Sequence, residues 1–212
     1  MKFTISLLES DKNISNDILK AFIPKLNIYM NDGINIIKSE LPGILRRGIA
    51  LSPEYDAILN GILKYEFGIP DSSIKLAGLI DIWANNIEYS YQKPRIVGSV
   101  IKSSFSANAI RVDFADVLYT DFALVIDGLR AYSLPWLEWL LLEGNKTIIK
   151  NYEVSIGPNK RSRTGNAIMK QSRGSWKVPS EYAGTINDNW ITRAIDGVQS
   201  DIESLLNKAF SA

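Results

Sequence analysis

The chain has 212 residues, 24 Lys and Arg against 23 Asp and Glu, 46% hydrophobic and 22% charged residues, and neither cysteine nor histidine. Disulfides, thiol chemistry, Cys- or His-built zinc sites and His-dependent nucleophile systems are therefore excluded, leaving carboxylates, Lys, Tyr, Ser and Thr for any chemistry. The length suits one large or two small domains, the near-zero net charge argues against a chain devoted to coating nucleic acid, and the lack of a long apolar run or a secretion-type start predicts a soluble chain with no membrane partner.

From Ile14 to about Arg47 the apolar residues Ile14, Ile18, Phe22, Leu26, Tyr29, Ile34, Ile37, Leu41 and Leu45 recur at helical spacing. Pro24 and Pro42 interrupt this stripe and predict kinks or breaks. Ser52-Pro53-Glu54 reads as a helix start, with a capping oxygen, proline at the first position and an acid facing the helix dipole. That helix is expected to reach about Phe67 and to stop at Gly68 and Pro70. Asp71 then caps a helix carrying Leu76, Leu79, Ile80 and Trp83 on one side.

The period next falls to two. Ile87, Tyr89 and Tyr91 alternate with polar residues, and the runs 96–101, 109–114 and 122–126 read as further strands of an antiparallel meander. Leu134 to Leu142, opened by Ser133 and Pro135, predicts a short buried helix ending at Gly144, with Trp136, Leu137, Leu140 and Leu141 in the core. Lys146 to Ile156 reads as a strand with Ile148, Tyr152, Val154 and Ile156 inward. Residues 157–184 lose all periodicity and read as an extended loop of functional length. A single amphipathic helix over 187–210, capped by Asn187 or Asp188, closes the chain. The fold class is thus α+β, a small antiparallel sheet packed by a helical N-terminal region (1–85) and, within 86–212, a long C-terminal amphipathic helix. No internal repeat occurs.

The loop holds Lys160, Arg161, Arg163, Lys170, Arg173 and Lys177, with no acid between Glu153 and Glu181. Six cations in a glycine- and serine-rich stretch suit an acidic protein surface or a polyanion; the bland alternative is a solvated loop. Upstream, Asp113, Asp116, Asp121, Asp127, Glu138 and Glu143 oppose only Arg130. The two blocks can neutralise each other within a subunit or pair between neighbours in a ring, where rim charges fix register. Glu138 with Glu143, or Asp113 with Asp116, make poor catalytic pairs, because acid and base work needs two carboxyl groups in different environments around one substrate. No cofactor, metal-ligand or phosphate-loop pattern is present.

Four blocks then come in order: Leu134-Pro-Trp-Leu-Glu-Trp-Leu-Leu-Leu-Glu-Gly144, Arg161-Ser-Arg-Thr-Gly-Asn-Ala-Ile-Met169, Gly174-Ser-Trp-Lys-Val-Pro-Ser-Glu-Tyr-Ala-Gly-Thr185 and Asn189-Trp-Ile-Thr-Arg-Ala-Ile195. Together they resemble the neck proteins of tailed bacteriophages, the head-completion or tail-completion proteins between the capsid connector and the tail. The likeness covers about the last 80 residues; the first 85 match nothing in it. The resemblance implies a non-enzymatic structural virion protein, assembled in the host cytoplasm. It implies a homo-oligomeric ring at the head-tail junction, with other neck, connector and tail-terminator subunits as partners and DNA passing through the ring. The rival reading is a small DNA-binding or DNA-processing protein using the basic stretch 157–177.

Overall fold

The computed structural model describes residues 10–109, 114–127 and 132–211, without the side chains at 127 and 132. Among them it is an α+β protein, with eight α-helices, one 3-10 turn and three separate two-stranded antiparallel ladders. The expected continuous meander is therefore absent from the described residues. Residues 96–101 are not one strand but the ends of β1 (Glu88–Val97) and β2 (Val100–Asn108), turned at a left-handed Gly98. The run 109–114 lies mostly outside the described residues. The run 122–126 is divided between the 3-10 turn Asp121–Ala123 and the short β3 (Val125–Asp127), which pairs with β4 (Tyr132–Leu134).

Helix α1 (Asp11–Ala50) runs for 40 residues through both prolines. The expected breaks do not occur because each proline frees one carbonyl a turn back, on Lys20 and Lys38. Both residues are exposed, where water can take the bond. Every buried α1 residue, from Gly33 to Ile49, lies in its second half. The predicted start at Ser52 is observed: its hydroxyl accepts from the Tyr55 amide, and Pro53 opens α2 (Pro53–Leu59). The helix does not continue to Phe67. The Leu59 carbonyl is taken by the Lys64 ammonium and the Ser72 hydroxyl, each at 3.2 Å, and the chain restarts after Gly61 as α3 (Ile62–Phe67). Gly68, left-handed at φ 66°, ends α3 as expected, and α4 (Ser72–Asn85) follows. Asp71 holds the cap position of α4 without a capping side-chain bond.

Two apolar clusters hold these elements. The larger joins both halves of the chain: Ile49, Ile58, Phe67, Leu76, Leu79 and Trp83 pack with α6 (Trp136–Leu141) and α7 (Trp190–Asp196). Trp136, Leu137, Leu140 and Leu141 are fully buried, as the sequence predicts. Trp83 and Trp190 meet edge to face at 5.4 Å, and the Trp190 indole donates to the Ser52 hydroxyl at 2.7 Å. One buried hydroxyl thus caps α2 and anchors α7. The smaller cluster lines α1 against α8 (Gln199–Phe210), with Ile37, Leu41, Leu45, Val198, Leu205 and Ala209. α8 approaches closely where α1 has Gly33; a Cβ there would stand 2.4 Å from the Phe210 ring.

The C-terminal helix is two helices, not one. Asn189, rather than Asn187 or Asp188, caps α7 through a reciprocal box with Thr192. The helix stops at Gly197, a poor helix former, and Val198 turns inward before α8 starts.

Candidate functional site

The largest departure from the sequence reading lies in 157–184. Residues Ala167–Trp176 form a strand, β6, paired along β5 (Ile149–Ile156), so the extended loop is a β-hairpin with a connecting tail. Strand β6 lacks apolar alternation because both faces of this two-stranded ribbon are largely wet. Tyr152 and Ile156 are accordingly exposed rather than inward, at 41% and 57%, while Ile148 and Val154 are partly buried against the main cluster.

The tip of the hairpin is held by its own hydrogen bonds. The Gly157 amide donates to Asn166 O and the Asn159 amide to Gly165 O, both at 2.8 Å, and Gly165 is left-handed. The Arg161 amide donates to Asn159 Oδ1 at 2.9 Å, and the Ser162 hydroxyl accepts from the Ala167 amide at 3.1 Å. Lys160, Arg161 and Arg163 therefore project from a braced turn, not from the extended loop expected. Lys170 lies on β6 opposite Glu153, Arg173 lies where the ladder register slips beside a left-handed Asn151, and Lys177 follows the strand. All six cations are exposed, and none belongs to an ion pair among the described residues.

Among the described residues the acidic block makes no ion pair with the basic one. Asp113 and the side chain of Asp127 lie outside the described residues. Asp116, on the short α5 (Ala115–Leu118), is half-buried with one carboxylate oxygen unbonded. Asp121 is exposed and its main-chain carbonyl accepts from Lys75. Glu138 is half-buried on α6, and Glu143 pairs with Lys146. Among the described residues no ion pair joins the two blocks, which removes neutralisation within one chain there.

Beneath the hairpin tip lies an open cleft of about 930 Å3. Its floor is aromatic: Phe67 stacks on Trp139 at 6.0 Å and meets the edge of Trp176 at 5.5 Å. Its rim carries Lys160, Arg161 and Arg163. The Arg163 guanidinium lies over Gly68, with Nε 3.2 Å from where a Cβ would stand, beside the partly negative C-terminal end of α3. Sequence reasoning missed Glu66, also on the cleft. Burial pushes its carboxyl above the ordinary value; the nearby Trp176 indole opposes that shift without reaching hydrogen-bond geometry, and the negative charge of Glu181 adds to it. No residue pattern announces this, since Glu66, Trp176 and Glu181 meet only in the folded chain.

The four sequence blocks prove to be one structural unit. Block one is α6; block two is the hairpin tip and the start of β6. Block three ends in a tail clasped to α6, with the Gly184 amide donating to Trp139 O and the Gly144 amide donating to Gly184 O, both at 3.0 Å. Block four is α7, whose Arg193 holds the buried Glu54 at 2.7 Å and Asp188 at 2.6 Å. Burial alone would lower the Arg193 pKa, but the bonds to Glu54 and Asp188 outweigh it and leave the group above its ordinary value.

No protein-family model matches the chain, and no curated protein or solved structure is significantly similar to it. Among the described residues no acidic cluster could hold a metal ion, and no helix is long and apolar enough to cross a membrane.

Proposed function

We propose that the chain is a structural subunit of the neck of a tailed bacteriophage, building a ring at the head-tail junction that joins the capsid connector to the tail. The reading begins from the four-block resemblance. The observation that carries it is the braced hairpin tip, which holds Lys160, Arg161 and Arg163 over an aromatic-floored cleft with no acid among the described residues paired to them. A rigid, charged projection beside an apolar hollow is suited to receiving an acidic surface on a neighbouring subunit. Charges at the rim set register, and a closed ring multiplies modest contacts. The chain makes and breaks no bond in this role, and DNA passes through the ring.

The test is charge reversal at the tip. Lys160→Glu, Arg161→Glu and Arg163→Glu together leave the fold intact, because all three side chains are exposed, and abolish incorporation into tailed particles. Normal incorporation of the triple variant overturns the proposal. Tight duplex binding by the wild-type chain, falling steeply with salt and lost in the variant, favours the DNA-binding rival instead.

A further inference from the structure

Among the described residues the first part of α1 is only partly covered, with Leu19, Ile23 and Leu26 half-buried and the face carrying Ile18 and Phe22 left open. Residues 11–26 contribute no buried side chain, and Ile18 and Phe22 are 53% and 57% exposed. With Ile14 they form an i, i+4 apolar stripe on an arm about 24 Å long, from 16 residues at 1.5 Å each. A contiguous apolar stripe left in water on a helix marks a surface for a partner.

The same chain carries an apolar groove of about 500 Å3 between α1, the end of β2, α7 and α8, lined by Leu41, Leu45, Phe105, Ile195, Ile202 and Leu206 among others. A subunit's own arm does not reach it. Phe22 and Ile37, the lining residue nearest the arm in α1, are 15 residues and about 22 Å apart on one continuous helix.

We infer that residues 11–26 of one copy dock in this groove of a second copy, giving a head-to-tail contact. Charge favours this occupant. The arm's charges outside any ion pair among the described residues are Lys12, Lys25 and Asp11, a net positive set, while Asp196 and Glu203, next in sequence to the lining residues Ile195 and Ile202, are acids in no such pair. Embedding half of a ~10 Å-wide helix over the arm's length covers roughly 400 Å2 on each side, about half of a standard interface side. One such contact is weak. A ring in which every subunit gives and receives an arm closes the heterologous contact on itself and leaves no arm exposed. This inference concerns self-association alone and does not rest on the neck assignment.

The chain has no cysteine, so a Phe22→Cys/Leu206→Cys variant carries the only two thiols. Mild oxidation of the purified full chain is expected to give a ladder of disulfide-linked oligomers ending in a closed species. Mixing the two single variants stops at the dimer, and adding Ile18→Asp to the double variant removes the ladder. A double variant that stays monomeric overturns the inference, as does Phe22→Cys alone linking arm to arm. An Ile110→Cys/Leu206→Cys control asks whether the chain's own 110–113 segment takes the groove; closure within one chain there, with no ladder from the first pair, also overturns it. Charge reversal at the hairpin tip leaves the ladder unchanged, so failure here and failure of the neck reading are separable.

Discussion

Replacing Gly184 by alanine tests how firmly the four blocks depend on one another. A Cβ at this position would stand 1.9 Å from the Leu140 carbonyl oxygen and 2.2 Å from its carbon. The obstacle is helix backbone inside α6, not the end of a flexible side chain, so the tail must lift away. Overpacking of this kind costs about 1–3 kcal/mol. Lifting the tail also weakens the Gly184-Trp139 and Gly144-Gly184 bonds, each worth about 1 kcal/mol net. The expected destabilisation of Gly184→Ala is therefore about 3–5 kcal/mol, a large share of the roughly 5–15 kcal/mol typical of a folded protein. Urea denaturation followed by tryptophan fluorescence and circular dichroism measures it. Gly174→Ala, whose nearest neighbour is the Ser172 hydroxyl at 3.4 Å, serves as the control with little change. A Gly184→Ala midpoint equal to wild type refutes the clasp.

Three further outcomes follow from the packing. Arg193→Met strands the Glu54 carboxylate, which is only 2% exposed, and is expected to cost about 3–5 kcal/mol, with partial recovery in Glu54→Gln/Arg193→Met; urea midpoints of both variants check this. Glu66 has a folded pKa above its ordinary value of 4.5, so the folded state holds its proton longer than the unfolded chain. Wild-type stability therefore carries a loss that begins near the ordinary value and is complete once pH passes the raised one; Glu66→Gln removes that component, read as the difference between the two urea midpoint profiles against pH. Gly43 lies inside α1 with nothing within 4 Å of an added Cβ, so Gly43→Ala is expected to stabilise by about 0.5–1 kcal/mol, a small rise in thermal midpoint.

Local chemistry made some of this legible in the sequence. Ser52-Pro53 starts a helix by supplying an acceptor and a residue that needs no amide bond, and both effects are read from adjacent residues. The buried face of α6 likewise follows from its own spacing. The β6 strand was hidden because a two-stranded ribbon wet on both faces needs no alternation, so MKQSRGS reads as loop. Asn187 and Asp188 read as caps from residue type alone, and only the reciprocal bond between Asn189 and Thr192 in the folded chain moves the cap one place on. Unbroken passage of α1 through two prolines depends on which carbonyls face water, a tertiary fact. The cleft was beyond reach for the same reason: Glu66, Arg163 and Trp176 become neighbours only when α3 and the hairpin pack together.

A neck subunit of the kind proposed stays in the particle it helps to build. Quantitative mass spectrometry of purified tailed particles, referenced to the connector subunit, tests that most directly. The expected result is the chain at a small, fixed, ring-like copy number in every particle preparation. Its complete absence from mature particles that assemble and infect normally would contradict it.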